Sequence, residues 1–346
     1  MNHDPDLLSV YFHARQLDHK PLYEWAFGDK LDHPETTTRA ENILAALARE
    51  PTIFGVRVPE RIPPSLLRAI HDPRLVDLYR AATHIEEGRT YYPSVFPKRR
   101  ETEPDPSDIK QAGYFCFDSG TPLTNVTWEA AAWSAACAVA AAREIRAGSK
   151  LSYALCRPPG HHASRDLFGG YCYFNNAALA AEQIPGRVAI VDVDFHHGNG
   201  TQELYWRDGR VLFVSIHGDP REFYPYFSGF ASERGQGEGE GKTINLPLPR
   251  GCDVQEYLRV LDDDVLPELE AFAPEAVVLS AGLDTYRRDP IGAFTLDTPD
   301  FHAVGERLGQ LGKPIVVVQE GGYCTDALGD NAVSLLLGLR EGLGRR

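Results

Sequence analysis

The sequence predicts an α/β fold, a mostly parallel sheet with helices on both faces. Apolar runs at residues 188–191, 211–216, 276–279 and 315–318 are nearly continuous instead of alternating, as strands buried on both sides are. Between them lie stretches with apolar residues at helical spacing, the alternation that builds a parallel sheet. The third observation is where the chemistry falls. Carboxylates, histidines and a tyrosine preceded by two glycines come directly after the apolar runs, at the carboxyl edge where such sheets bind ligands.

Taken in order, residues 9–12 read as a first strand, and Thr36, Thr37 and Thr38 cap a helix over 39–48 that places Ile43, Leu44 and Leu47 on one face. The stretch between them reads as a polar loop. A strand at 53–58 and a helix at 73–82, with Leu75, Leu78 and Tyr79 at helical spacing, come next. Residues 86–122 carry Pro93, Pro97, Pro104, Pro106 and Pro122, with Tyr91, Tyr92 and Phe96 among charges. That composition predicts a long ordered loop, of a length usually found at a site wall or a subunit contact. An Ala-rich helix over 128–146 stops at Gly148, and strand 151–155, helix 176–183, strand 188–194, helix 201–206 and strand 211–216 follow. Glycines at 235, 237, 239 and 241 alternate with Gln236, Glu238 and Glu240; acidic side chains make a poor phosphate cradle, so the segment reads as a flexible turn. Helix 254–272, strand 276–279, helix 299–311, strand 315–318 and helix 327–343 complete the chain.

A chain of 346 residues can bury a large core, and with no internal repeat it is expected to form one domain, residues 1–346. The formal net charge of −14 opposes attraction to nucleic acid or an anionic membrane and favours cationic substrates. Six cysteines are scattered without a close pair, which indicates neither a disulfide framework nor a thiolate zinc site. A reducing cytosol suits them. The polar, acidic start does not resemble a secretory signal, and the richest apolar run, 130–142, is shorter than the roughly 20 residues a bilayer span needs. A cytoplasmic protein is expected.

Asp192, Asp194 and His196 sit at alternate positions, so a strand continuing through them would project all three to one side. A lone Asp-x-Asp usually closes a strand with a polar network. Here matching groups end other strands, and buried carboxylates without partners are unfavourable, so a divalent cation is the simplest compensation. Strand 276–279 leads into Asp284, which alone would read as a turn cap. With Asp194 and His196 it offers a metal two oxygens and one nitrogen and leaves a position open, as catalytic sites do. Zinc is the default for this set, and Fe(II) or Co(II) would also be accepted.

Strand 151–155 is followed by a proline-fixed loop with adjacent histidines, His161 and His162. Such pairs are often incidental, but beside a metal they suit the deprotonation of an attacking water and the protonation of a leaving amine. Asp192 and Asn199 are the candidate partners: a charged partner holds its imidazole cationic, and a neutral one leaves its imidazole free to exchange protons. Tyr323 follows Gly321-Gly322. Elsewhere it would be packing; in this set it is placed to donate to an oxyanion. Ser215, ending another strand, reads on these grounds as structural, although its oxygen suits a monovalent cation.

The blocks Arg157-Pro158-Pro159-Gly160-His161-His162-Ala163, Phe168-Gly169-Gly170-Tyr171-Cys172, Asp192 through Gln202, and Glu320-Gly321-Gly322-Tyr323 closely resemble the histone deacetylase superfamily. Phe96-Pro97 with Arg99-Arg100, Thr127-Trp128-Glu129-Ala130-Ala131 and His217-Gly218-Asp219-Pro220 are most similar to its bacterial acetylpolyamine amidohydrolases. The resemblance covers the chain from about Phe96 onward. It implies an arginase-like α/β domain with an eight-stranded parallel sheet, and zinc-dependent amide hydrolysis with one ion per chain. Carried over to this sequence, Asp194, His196 and Asp284 ligate the metal, His162 is general base and then acid, His161 is its electrostatic companion, and Tyr323 is the oxyanion donor. Asp192 pairs with His161, and Asn199 with His162 in the class II-like form. A structural potassium ion would take Asp192, Ser215 and the main-chain carbonyls of Asp194, His196 and Ile216. Tyr171 and Tyr224 stand where the family has aromatic channel walls, and Gly170 where it contacts the substrate amide.

One departure concerns the amine. Polyamine-specific relatives place glutamates in the long loop, and counting puts Ile109 and Gly120 at those positions here. Asp118 is the expected substitute, with Glu101, Glu103, Asp105 and Asp108 as further candidates. The resemblance also implies a homodimer, with 86–122 at its interface and at the substrate channel. The expected activity is deacetylation of small acetylated amines such as acetylpolyamines; the alternative, protein acetyl-lysine deacetylation, shares every catalytic residue. A non-catalytic acetyl-amine binding module would not need Tyr323 and both histidines. A two-manganese ureohydrolase would need more carboxylates than residues 194–197 offer.

Overall fold

The computed structural model describes residues 7–26, 28–96 and 104–345. Glu101 and Glu103, and Pro97, Arg99 and Arg100 of the Phe96 motif, lie outside the described residues. In chain order the strands are β1 (Leu8–Tyr11), β2 (Tyr23–Ala26), β3 (Asp29–Asp32), β4 (Phe54–Arg57), β5 (Leu151–Ala154), β6 (Val188–Asp192), β7 (Val211–Gly218), β8 (Thr243–Leu248), β9 (Ala276–Ala281) and β10 (Ile315–Gln319). The α-helices are α1 (Thr37–Leu47), α2 (Pro64–Ile70), α3 (Pro73–Ala81), α4 (Thr127–Arg146), α5 (Asn176–Ala181), α6 (Asn199–Tyr205), α7 (Val254–Val260), α8 (Leu266–Phe272), α9 (Thr298–Gly309) and α10 (Thr325–Gly344). Eight strands form one sheet in the order β4-β1-β5-β10-β9-β6-β7-β8, every pairing parallel. This is the sheet the sequence resemblance implies.

Successive residues of the central strands feed opposite cores. Ala189, Val191, Val277, Leu279 and Val317 join one apolar cluster, and Val188, Ile190, Val278, Val316 and Val318 the other. Burial on both faces is why these strands read as continuous apolar runs. The first cluster takes Ile43 from α1, Val260 from α7, Leu269 from α8, Phe301 from α9 and Leu335 from α10; the second takes Leu78 from α3, Val139 from α4 and Leu179 from α5. Strands β5, β10, β9, β6 and β7 are consecutive neighbours, so their carboxyl ends bring together segments distant in sequence. Among the described residues no helix is long and apolar enough to cross a membrane, and all six cysteines are free thiols.

Several expectations change. The polar loop between the first strand and first helix contains the β2–β3 hairpin, with Tyr23 opposite Asp32 and Ala26 opposite Asp29. Thr36 is the N-cap of α1 but makes no side-chain capping bond. The helix expected over 254–272 is divided: a π-helical turn, Leu261–Val265, separates α7 from α8, which has a proline in its first turn. Pro267 lacks the N–H that a continuous helix would use. The glycine segment is anchored at Gly239, which is buried, while Gly237 and Gly241 face open space. A Cβ on Gly239 would lie 2.6 Å from the Trp206 carbonyl, and that carbonyl accepts the Gln236 N–H at 2.8 Å. It leads into β8, which, like α2, was not expected.

Candidate active site

β6 ends at Asp192, so the alternation expected through His196 does not continue. Side chains take over from the ladder: the Asp194 N–H donates to Asp192 Oδ1 at 3.1 Å, and the His196 N–H to Asp194 Oδ1 at 2.8 Å. Each aspartate thus bonds the backbone two residues on, and the strand alternation breaks although the Val193 N–H still reaches the Ser280 carbonyl at 3.0 Å and the Gly218 N–H the Phe195 carbonyl at 2.8 Å. The three side chains part as a result. Asp192 turns to His161, whose Nδ1 donates to Oδ2 at 3.0 Å, while Asp194 and His196 meet Asp284 from the end of β9. Their ligand atoms lie within 4.8 Å of one another, with His196 Nδ1 3.3 Å from Asp194 Oδ1 and 3.0 Å from Asp284 Oδ2. Both carboxylates are fully buried. Backbone amides orient them: the Phe195 N–H donates to Asp284 Oδ1 and the Gly321 N–H to Asp194 Oδ2, each at 2.8 Å. Two buried carboxylates and one imidazole fit a divalent cation, which compensates their charge and accepts mixed oxygen and nitrogen donors.

The tandem histidines face this cluster from the end of β5, their rings 4.0 Å apart. His162 Nδ1 donates to Asn199 Oδ1 at 2.7 Å, so both expected pairings are present. Burial disfavours either cation. For His161 the carboxylates of Asp194 and Asp192 overcome burial and lift the pKa to about 10. For His162, burial and then the positive charge of His161 hold the pKa well below 6.5. The carboxylate partner thus favours the charged form of His161, and the neutral partner and burial favour the neutral form of His162. Gly170 packs against the base: a Cβ there would lie 2.1 Å from His162 Cδ2, and its φ is +55°.

Tyr323 follows Gly322, whose φ of +118° lies in the region that favours glycine. The Arg39 guanidinium stands over the Tyr323 ring at 4.7 Å and donates to the Gly322 and Glu320 carbonyls at 2.6 and 2.5 Å. Arg39 also bonds Glu35 at 2.9 Å, and Glu35 pairs with Arg157 at 2.8 Å. The sequence reading missed this buried triad. An arginine among the apolar positions of α1 was its only trace.

Above the metal cluster is a cavity of about 500 Å³, lined by His162, His196, Gly170, Tyr171, Tyr224 and Tyr323, and further by Glu24, Trp25, Asp118, Phe227 and Ile291. Its size suits a small molecule. Tyr171 and Tyr224 form walls, as expected. Asp118 lines the cavity too, but both its oxygens are occupied: Oδ1 accepts from the Gly120 N–H and Thr121 hydroxyl at 3.1 Å each, and Oδ2 from the Gly170 N–H at 2.5 Å and the Tyr224 hydroxyl at 2.8 Å. It braces the walls. Asp105 and Asp108 bond their own loop and are not among the lining residues.

The carboxylate that reasoning from sequence missed is Glu24. It comes from β2 and accepts the Tyr171 hydroxyl through Oε2 at 2.9 Å. Burial, with the nearby charge of Asp118, raises its pKa against the effect of that bond. Gly120 makes room for it: a Cβ at 120 would stand 3.0 Å from Glu24 Oε2. Ser215 is the register partner of Asp192 and bonds His217 Nδ1 at 2.8 Å. Cavity size alone does not pick out the site. A groove of about 660 Å³ near Tyr11 and Glu144 is larger, but there the Ser9 and Tyr11 hydroxyls satisfy Glu144 at 2.6 Å each.

Comparison with known proteins gives the family. The histone deacetylase domain family matches residues 33–339. Acetylpolyamine amidohydrolase 1 of Pseudomonas aeruginosa is 42% identical over a 350-residue alignment covering 98% of this chain and 100% of the relative. The acetylpolyamine amidohydrolase of Mycoplana ramosa is 41% identical, covering 90% and 94%. The crystal structure of acetylpolyamine aminohydrolase from Burkholderia pseudomallei superposes with a TM-score of 0.90 at 40% identity, over 96% of this chain and 98% of that one. The chain belongs to the histone deacetylase family.

Proposed function

We propose that this protein, as one deacetylase domain over residues 1–346, hydrolyses the acetamide of small acetylated amines such as acetylpolyamines. The observation that carries the substrate is Glu24: a carboxylate in the aromatic wall of a cavity that is also lined by His196 of the candidate metal-holding group. An extended acetylated diamine matches it, with the acetyl group at the floor and the ammonium at the wall. The names of the relatives point the same way.

Asp194, His196 and Asp284 would hold one divalent ion per chain, zinc with Fe(II) or Co(II) as substitutes, which when bound would supply Lewis-acid polarisation of the acetyl carbonyl. The remaining steps belong to the chain. His162 carries its proton on Nδ1, toward Asn199, which leaves Nε2 to take a proton from the attacking water and later deliver it to the leaving amine. His161, paired with Asp192, stays cationic and favours negative charge on the tetrahedral carbon's oxygens. The Tyr323 hydroxyl donates to the developing oxyanion. Gly170, Tyr171 and Tyr224 hold the acyl-bearing chain, and Asp118 fixes them. Asp192, Ser215 and the carbonyls of Asp194, His196 and Ile216 would supply the oxygens for a structural K⁺. The exposed side chains of Trp25, Phe96 and Phe227 supply apolar surface for a homodimer including the 86–122 loop, and the thiols suit a cytoplasmic location.

The test compares zinc-loaded enzyme on acetylputrescine, acetylcadaverine and an internal acetyl-lysine peptide. We expect kcat/KM to be higher for the diamines and to fall with ionic strength. Equal or faster turnover of the peptide without salt dependence overturns the substrate assignment in favour of protein deacetylation.

A further inference from the structure

The turn that carries Tyr323 leaves the sheet early. β10 ends at Gln319, and the last main-chain bonds from this turn to the β9 exit, among the described residues, are Glu320 N–H to the Ala281 carbonyl at 3.1 Å and Leu283 N–H to the Gly321 carbonyl at 3.1 Å. Beyond Gly321 something else must aim the tyrosine. We propose that Asp289 is the positioning residue for the Tyr323 hydroxyl, acting through four backbone amides of two loops.

Asp289 follows the metal ligand Asp284 in the chain and is buried. Its Oδ2 accepts the Tyr323 N–H at 2.6 Å and the Cys324 N–H at 3.1 Å. Its Oδ1 accepts the Ile291 N–H at 3.1 Å and the Gly292 N–H at 3.2 Å. These donors fill the acceptor positions of one carboxylate. Two lie on the turn bearing the oxyanion donor and two on the segment whose Ile291 lines the cavity, so one side chain fixes the separation of both.

Arg39 completes the restraint by taking the carbonyls of the same turn, at Gly322 and Glu320. The turn is held by its acceptors on one side and its donors on the other. Gly322 has no side chain to stiffen the joint, so the direction of Tyr323 rests on these bonds. An asparagine at 289 keeps the volume but points an NH2 group at one pair of N–H donors. That pair must then move away, and displacement of a reacting group by about 1 Å costs on the order of 100-fold in rate.

This inference rests on the reading of Tyr323 as oxyanion donor, and a comparison of Asp289→Asn, Tyr323→Phe and the double variant separates the two. Wild-type kcat in Tyr323→Phe overturns that reading whatever Asp289 does. If Asp289 acts through Tyr323, Asp289→Asn lowers kcat on the order of 10- to 100-fold, with KM for acetylputrescine and zinc content unchanged. In the Tyr323→Phe background the same change then matters by no more than about 2-fold, because no hydroxyl is left to aim. An equal loss in both backgrounds, or a rise in KM or loss of zinc that accounts for the decline, overturns the positioning role. Asp289→Ser, which keeps a single acceptor, is the second variant. If neither variant gives folded, zinc-loaded protein, the carboxylate is a folding element and the proposal falls.

Discussion

The two ends of the cavity are built by different means. At the floor, Asp192 closes β6, and His161, His162, Asp194, Asp284 and Tyr323 stand shortly beyond the carboxyl ends of β5, β6, β9 and β10, which adjoin one another in the sheet. At the mouth, Glu24 comes from a separate hairpin, Asp118 from the long loop, and Tyr224 and Phe227 from the segment after β7. Floor groups inherit their positions from a buried ladder. Mouth groups are held by side-chain bonds between remote segments, Tyr171 to Glu24 and Asp118 to Gly170 and Tyr224. The floor should therefore respond to substitution by loss of chemistry, and the mouth by graded changes of preference.

The sharpest break of the floor is Asp284→Ala. It leaves the metal two ligands and frees the Phe195 N–H that Asp284 Oδ1 accepts. Outer partners of metal ligands are worth 10–100-fold in affinity, so losing a ligand should weaken zinc binding by more than about 100-fold and abolish turnover. Elemental analysis checks it, and full zinc content would remove Asp284 from the ligand set.

A smaller effect, still on the floor, is expected from Asn199→Asp. His162 has its pKa held well below 6.5 by burial and by the cationic His161 beside it, so wild-type enzyme has its base ready at pH 7 and the acid limb of kcat/KM lies below 6.5. An aspartate against Nδ1 favours the protonated ring, since an opposite charge at this range shifts a pKa by about 1–3 units. The acid limb then moves to higher pH, and activity at pH 6 drops more than at pH 9. A pH–rate profile with the limb unmoved would show that His162 is not the titrating base.

The same contrast governs what could be read in advance. Continuous runs such as 188–191 and 315–318 fixed the strands because burial on both faces leaves no polar positions, and the residues just after them were legible as site residues for the same reason. The row from Asp192 to His196 was misread in geometry. Short carboxylates compete for nearby backbone N–H groups, and that local bond ended the strand at Asp192. Glu24, Arg39 and Asp289 were illegible for a different reason. Each acts across a gap in sequence closed only by packing: Glu24 on Tyr171, Arg39 on the Gly322 turn, Asp289 on Tyr323. Nothing in the spacing of β2 shows which of its faces meets a cavity.

The smallest effects belong to the mouth, and they divide two carboxylates that look alike in sequence. Glu24 offers charge, whereas Asp118 has its oxygens committed to Gly120, Thr121, Gly170 and Tyr224. Glu24→Gln should raise KM for acetylputrescine about 10-fold, as loss of one hydrogen bond to a charged group does. It should leave kcat nearly unchanged and have little effect on N-butylacetamide, which lacks the ammonium. The raised pKa of Glu24 adds a pH signature. As pH falls through that pKa the carboxylate is neutralised, so wild-type KM rises for the diamine and not for the neutral amide, and Glu24→Gln abolishes the difference. Asp118→Asn should instead affect both substrates alike, because what it disturbs is the placement of Gly170 and Tyr224. If Asp118→Asn discriminates between them and Glu24→Gln does not, the charge is read by the long loop and the hairpin carboxylate is only a brace for Tyr171.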